Sequence, residues 1–207
     1  MSGASGLERA LGTLGLALST VQTERFGRYL DLLEKWNRVY NLTAIRDRER
    51  VVTHHLLDSL AILPHLKAPR VLDVGSGAGF PGVPLAIANG ELRLTLLDSN
   101  HKKTAFLRQA VAELGLKNAV VESERVEAWR TSARFETIVS RAFSELGEFV
   151  TASARLLAPG GILAAMKGVY RREEVERMPA GFEVVNVLKL AVPGLDAERH
   201  LVVVAVA

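Results

Sequence analysis

The segment Val71-Leu72-Asp73-Val74-Gly75-Ser76-Gly77-Ala78-Gly79-Phe80-Pro81-Gly82 reads as a short apolar strand that passes through an acidic residue into a glycine-rich turn and then an apolar helix. Without a Cβ, residues 75, 77 and 79 let the backbone turn sharply and let a ligand come close to the main chain. Turns of this kind lie at the carboxyl ends of strands in open α/β sheets, where they form nucleotide-type pockets. The feature therefore constrains the fold class and the place of the site together.

Beyond Pro69, apolar runs of strand length alternate with helical segments, the pattern of a parallel sheet covered on both faces. Strands are expected near 70–74, 92–98, 118–122, 136–140, 161–166, 182–190 and 200–206, and helices near 81–89, 101–114, 145–157 and 171–177. The segment 191–199, with Pro193-Gly194, is too short for a crossover helix, so the last two strands should form an antiparallel hairpin. Upstream, Ser19 and Gln22 have capping-box spacing, and Phe26, Tyr29, Leu30, Leu33, Trp36 and Tyr40 recur at helical intervals, which predicts a helix over 20–40. Val51, Val52, His55, Leu56, Ser59, Leu60, Leu63 and Leu66 predict a second helix that ends between Pro64 and Pro69. The expected architecture is a single domain, residues 1–207. It comprises an N-terminal helical extension (1–69) on a Rossmann-like seven-stranded α/β core (70–207). Gly3, Gly6, Gly12 and Gly15 mark the first 18 residues as its most loosely packed part.

At 207 residues and 48% hydrophobic, the chain has material for one core of ordinary size. It contains no apolar run of the roughly 18–20 residues needed to span a bilayer and no signal-like start, so a cytoplasmic protein away from membranes is expected. The absence of cysteine excludes disulfides, thiolate metal ligands and cysteine nucleophiles. A net charge of +3 permits a polyanionic partner without requiring one. The basic groups (Arg46, Arg48, Arg50; His101, Lys102, Lys103; Arg171, Arg172) are partly interleaved with acids and read first as solvated faces.

Two cofactor templates overlap on the glycine turn. Gly77-x-Gly79-x-x-Gly82 with Asp98, 21 residues beyond Gly77, fits a dinucleotide fingerprint and hence an NAD-type oxidoreductase. Asp73-x-Gly75-x-Gly77-x-Gly79 fits S-adenosylmethionine-dependent methyltransferases. A carboxylate beside a pyrophosphate costs Coulomb energy, whereas the amino group and sulfonium of S-adenosylmethionine are cationic, so Asp73 favours the second template. Asp98, at the end of the second strand, can accept both ribose hydroxyls of either cofactor. Seven strands ending in a hairpin also describe the class I methyltransferase sheet, and no second domain remains for a hydride acceptor.

Taken together, Asn41-Leu42-Thr43-Ala44-Ile45, His55-Leu56-Leu57-Asp58-Ser59-Leu60, residues 73–84, Leu96-Leu97-Asp98-Ser99, Ser140-Arg141-Ala142 and Lys167-Gly168 closely resemble the ribosomal RNA small-subunit methyltransferase G family, also called glucose-inhibited division protein B. The resemblance runs from about residue 32 to 204. It implies a bacterial cytoplasmic enzyme that methylates N7 of guanine 527 in 16S ribosomal RNA. By motif it also implies that Gly75 and Phe80 line the methionine and sulfonium side, that Asp98, Ser99 and Asn100 meet the ribose, that Val126 and Glu127 frame the adenine, and that Arg141 closes the pocket. With Asp73 and Gly77 from the loop, these are the expected cofactor residues.

Guanine N7 offers a lone pair and carries no proton, so methyl transfer to it needs aligned reactants rather than a general base. Candidates for holding the base are Asn41, Thr43, His55, Asp58, Ser59, Ser140, Arg141 and Lys167, with Asp58 and Arg141 foremost. His54, His55 and Asp58 lack a further ligand cluster, so no metal is expected. Phe26, Trp36, Tyr40 and Phe106 fall in apolar stripes and read as core rather than base-stacking platforms. RNA contact is then expected through phosphates, at the N-terminal helices and near Arg46, Lys102 and Arg171. The expected partner is 16S ribosomal RNA in the small subunit, met by a monomer. A non-catalytic RNA-binding assembly factor on the same fold is the third alternative.

Overall fold

The computed structural model describes residues 3–207. Met1 and Ser2, part of the end expected to be loose, lie outside the described residues. Within that end α1 covers Gly3–Thr13, followed by a turn and an extended stretch, and Leu11 is buried in the main core. The long helix α2 (Thr20–Tyr40) starts at the expected capping box: the Gln22 N–H donates to Ser19 Oγ at 3.3 Å, and the Ser19 N–H donates to Gln22 Oε1 at 2.9 Å. It stops at Asn41, whose φ of 48° is a left-handed conformation that asparagine tolerates better than most residues.

The second expected helix is broken into α3 (Arg48–Val51), a π-helical segment (Val52–Leu57), α4 (Asp58–Leu60) and a 3-10 turn (Leu63–His65). A π segment closes i→i+5 bonds and so departs from the 3.6-residue period on which the prediction rested. Both His55 and Asp58, on either side of its end, reach the same arginine, as described below.

Among the described residues seven strands form one sheet in the order β3-β2-β1-β4-β5-β7-β6. They are β1 (Arg70–Val74), β2 (Arg93–Leu97), β3 (Ala119–Glu122), β4 (Phe135–Ser140), β5 (Leu157–Lys167), β6 (Phe182–Lys189) and β7 (His200–Val206). Neighbours among β1 to β5 are parallel, and β7 runs antiparallel to both β5 and β6, as the short hairpin loop requires. The helices between strands are α5 (Gly82–Ala88), α6 (His101–Glu113), α7 (Leu146–Ser153) and α8 (Glu173–Glu176). Three boundaries differ from expectation. The helix expected over 145–157 ends at Ser153 and continues as a 3-10 turn. β5 starts at Leu157, its pairing to β4 shifting between Phe135 and Thr137 around Pro159-Gly160-Gly161. The helix expected over 171–177 shrinks to four residues.

Side chains alternate along each strand, so β1 sends Val71 to one face and Leu72 and Val74 to the other. The first face packs against α1, α2, α5 and α6 through residues such as Phe26, Tyr29, Val83 and Phe106. The second packs against α7 through Phe149 and Val150. The N-terminal helices thus cover the flank of the sheet that carries the glycine turn. Among the described residues no helix is long and apolar enough to cross a membrane.

Candidate active site

β1 delivers the chain into the loop 75–81 with Asp73 fully buried beneath it. The Gly82 N–H donates to Asp73 Oδ2 at 3.0 Å, and Asp73 Oδ1 has no hydrogen-bond partner among the described residues. Burial pushes this carboxyl up to about 7, against the opposing pull of the Gly82 hydrogen bond. Asp73 therefore holds the loop from below and is absent from the cleft wall.

The loop is fastened to β2 as well. Leu97 O accepts from the Gly75 N–H (2.8 Å) and the Ser76 N–H (3.1 Å), while Asp98 Oδ2 accepts from the Gly77 N–H at 2.8 Å. Asp98 Oδ1 accepts from the Asn100 N–H at 2.8 Å. Each carboxylate oxygen thus holds one backbone donor and keeps acceptor capacity for a second. The Asn100 side chain caps α6, accepting from the N–H groups of Lys102 and Lys103.

The glycines divide by what surrounds them. At Gly75 (φ +73°) a Cβ would lie 2.5 Å from Ala142 Cβ, where the loop faces the end of β4. At Gly79 (φ +95°) it would meet Val83, the Tyr29 hydroxyl and Leu107, which belong to the protein interior. At Gly82 it would collide with Leu96 and with the Asp73 carboxylate. The last two glycines serve helix and loop packing, so the overlapping dinucleotide pattern through Gly82 has a structural origin.

Over Gly75 opens a cleft of about 290 Å³, lined by Val74, Gly75, Leu97, Asp98, Ser99, Lys103, Glu124, Arg125, Val126, Glu127, Ala142 and Phe143. It gathers Gly75, Asp98, Ser99, Val126 and Glu127 from the expected cofactor set. Phe80 lies elsewhere: its ring is buried between Tyr29 (centroids 5.5 Å apart) and His55 (4.8 Å). Arg141 sits beside the cleft's Ala142 but turns toward the π segment.

There Arg141, Asp58 and His55 converge. Arg141 Nη2 is 3.4 Å from Asp58 Oδ2 and 3.2 Å from His55 Nδ1, and Arg199 Nε approaches Asp58 Oδ1 at 3.3 Å. His55 Nδ1 lies 3.0 Å from His54 O as well as 3.2 Å from Arg141 Nη2, so the tautomer sets its partner. With Nδ1 bare it accepts from the guanidinium while Nε2–H donates to Thr43 Oγ1 (2.8 Å), and with Nδ1–H it donates to the carbonyl while Nε2 accepts from that hydroxyl. Burial foremost, with Arg141 second, lowers His55 to about 4, so the ring is neutral at pH 7. Burial raises the buried Asp58 carboxyl, opposed first by Arg141 and then by Arg199. Arg141 Nη1 is buried without a hydrogen-bond partner among the described residues.

Of the eight expected base-holding residues, Thr43, His55, Asp58 and Arg141 form this connected group. The others are engaged elsewhere. Asn41 Oδ1 accepts from Arg46, Ser59 Oγ donates to His55 O, and Ser140 Oγ donates to Val74 O. Lys167 Nζ pairs with Glu174 Oε2 at 2.8 Å and donates to Ser144 O, tying the segment after β5 to the loop after β4. Sequence reasoning did not single out Arg199, Phe143 or Glu174. Their partners are brought together by topology, and no local spacing marks them. Among the described residues no group of three or more His, Cys, Asp or Glu is placed to hold a metal ion.

Residues 22–202 match the family model described as rRNA small subunit methyltransferase G. The ribosomal RNA small subunit methyltransferase G of Chromobacterium violaceum is 57% identical over 197 residues, covering 95% of this chain and 94% of the relative. That of Aromatoleum aromaticum is 55% identical over 205 residues, covering 97% of each. Among solved structures, the glycopeptide N-methyltransferase MtfA complexed with S-adenosylmethionine superposes with a TM-score of 0.61 at 15% identity, over 74% of this chain and 87% of that one. The structural likeness establishes the class I methyltransferase fold, and the family match and the two relatives establish that this chain belongs to the rRNA small subunit methyltransferase G family.

Proposed function

We propose that this protein transfers a methyl group from S-adenosylmethionine to N7 of guanine 527 in the 16S RNA of the small ribosomal subunit, acting in the cytoplasm as a monomer without a metal. The observation that carries the reading is the cleft over Gly75 in a chain of this family.

The cleft suits this cofactor. Its lining carboxylates Asp98, Glu124 and Glu127 outnumber Lys103 and Arg125, a balance that favours a cationic ligand over a pyrophosphate. The free acceptor capacity of Asp98 matches a ribose diol, with Ser99 and Asn100 beside it. Val126, buried, and Glu127, exposed, would frame the adenine. Gly75 and Gly77 would present backbone to the methionine side. When bound, the cofactor supplies an electrophilic methyl on a sulfonium. Asp73 would act through the loop, holding Gly82, and Phe80 by seating the His55 ring.

On the acceptor side, Asp58 and Arg141 are proposed to position the base, with His55 and Thr43 orienting Arg141. No residue need remove a proton, since N7 has none. The protein's contribution is orientation and exclusion of water, which in well-aligned intramolecular models lowers barriers by roughly 7–11 kcal/mol. Arg46 and neighbouring basic residues would meet RNA phosphates.

Labelled S-adenosylmethionine incubated with small subunits lacking the modification, followed by mapping of the methylated nucleotide, tests the proposal. Label confined to N7 of guanine 527 is expected; label elsewhere refutes the target. Calorimetry should show binding of S-adenosylhomocysteine and none of NADH, and the reverse would restore the oxidoreductase reading.

A further inference from the structure

We propose that Tyr29, on the N-terminal helix α2, is a positioning residue for the cofactor, so that the helical extension forms part of the cofactor site as well as covering the sheet. The inference rests on the proposed use of the Gly75 cleft for S-adenosylmethionine.

Tyr29 is completely buried, and its hydroxyl donates to Ala78 O at 2.5 Å, across 49 residues of sequence. Burial and the nearby Asp73 push the phenol well above its usual range, so it remains a donor at working pH. The same hydroxyl lies 2.9 Å from the place a Gly79 Cβ would occupy, and the ring packs edge-on against Phe80 at 5.5 Å. Three successive loop residues, 78 to 80, are therefore in register with one side chain of α2.

These contacts reach the cleft by a short path. Ala78 follows Gly77, whose N–H holds Asp98 Oδ2, and Asp98 lines the cleft. Gly77 and Gly79 both have positive φ (+58° and +95°), and glycine leaves such peptides free to reorient unless something fixes them. The peptide between the two is held at both of its polar groups: the Gly79 N–H donates to Ser76 O at 2.7 Å, and the Ala78 carbonyl accepts from the Tyr29 hydroxyl. Releasing the carbonyl leaves that peptide held by Ser76 O alone and loosens the seat of the neighbouring Gly77 N–H on Asp98, the carboxylate proposed to take the ribose hydroxyls. Helix α2 is well placed to hold this point. Gln22 Nε2 donates to Ile87 O (3.0 Å) and Ala88 O (2.8 Å) at the far end of α5, and Arg28 donates to Glu113 O at the end of α6. The helix is thus anchored to the elements that follow both β1 and β2.

The test compares Tyr29→Phe, which removes only the hydroxyl, with Phe26→Leu. Phe26 is one turn earlier on the same buried face, and its truncation loosens α2 without removing the loop hydrogen bond. Tyr29→Phe is expected to raise the calorimetric Kd for S-adenosylhomocysteine about tenfold, the equivalent of one net hydrogen bond. It should raise the KM for S-adenosylmethionine in parallel while leaving kcat and the KM for the small subunit within about twofold. Amide hydrogen exchange at 77–80 should quicken. Phe26→Leu should lower the melting temperature and leave Kd within about twofold. An unchanged Kd in Tyr29→Phe overturns the inference, as does an equal rise in Phe26→Leu, which would mark general loosening. Failure of the unsubstituted protein to bind S-adenosylhomocysteine would instead remove the cofactor reading and the inference with it.

Discussion

Replacing Asp73 by Asn should remove a pH dependence that the stability of the unsubstituted chain carries. The carboxyl is fully buried, has one hydrogen bond from Gly82, and is pushed from 3.8 to about 7. A raised carboxyl pKa means that the folded state binds the proton more tightly than the unfolded state. The associated stability is therefore fully present below about pH 4 and is lost as pH rises through about 7. A shift of about three units corresponds to about 4 kcal/mol at about 1.4 kcal/mol per unit. An amide at this position can still accept from the Gly82 N–H, and any pH-independent cost of its extra N–H group cancels when two pH values are compared. Urea denaturation at pH 4.5 and pH 8 should then show the difference in stability between Asp73→Asn and the parent moving by about 3–4 kcal/mol in favour of the variant at the higher pH. Parallel pH profiles, with the difference changing by less than about 1 kcal/mol, would refute the reasoning. The variant should also expose His55, which has the opposite sign. Its folded pKa is lowered to about 4, so stability is present above about 6.5 and falls as the pH drops toward 4.

Gly82→Ala should lower stability by about 1–2 kcal/mol in thermal melts, because steric conflict with Leu96 and Asp73 outweighs the better helix propensity of alanine; a gain would contradict the packing role assigned to this glycine. Lys167→Ala leaves the buried Glu174 carboxylate with the Leu146 N–H (2.9 Å) as its remaining hydrogen bond and should cost about 3 kcal/mol. Adding Glu174→Gln to that variant should recover much of the loss in denaturant titrations, and no recovery would mean the pair is not the source. Arg46 bonds the neutral Asn41, whereas Arg48 is paired with Asp31. Arg46→Glu should therefore weaken small-subunit binding more than Arg48→Glu does and make its salt dependence shallower by about one unit of slope or more. Equal affinities and slopes across a salt series would exclude this surface.

The central sheet was legible because its strands are buried on both faces and read as apolar runs, as in Val71-Leu72 and Leu94 to Leu97. The hairpin was legible because ten residues cannot form a crossover. The π segment was not, since His54 and His55 lie in a pattern that an α-helix would share until i→i+5 bonds form. The start of β5 was missed because Pro159-Gly160-Gly161 carries turn residues, although the sheet accommodates them as an irregular pairing. In the candidate site, the spacing of Gly77 and Asp98 along the chain is matched by a hydrogen bond between them, while the ring of Phe80, expected on the methionine side, packs between Tyr29 and His55. The direction of one side chain in a glycine loop depends on which neighbours fill the space, here Tyr29 and His55. Arg199 had no local signature because its partner Asp58 is brought to it by the fold.

That partnership bears on how charge is arranged for the proposed reaction. Asp58 is shared by two guanidiniums, so the cluster carries one net positive charge beside a neutral histidine. Positive charge also develops on the purine during methyl transfer to N7, and an uncompensated arginine close to the ring would oppose it. The shared carboxylate draws Arg141 Nη2 toward the π segment, and Nη1 is left buried without a hydrogen-bond partner among the described residues. A guanine offers O6 next to N7 as an acceptor for such a group, and donation to N7 itself would block the lone pair that must attack. Asp58 therefore has two effects that cannot be separated by charge alone: it offsets the guanidinium charge, and it directs which nitrogen is free. Asp58→Asn keeps much of the shape while leaving both arginines uncompensated, so its effect should fall on kcat more than on the KM for S-adenosylmethionine. A change confined to that KM would mean that the cluster belongs to the cofactor and not to the base.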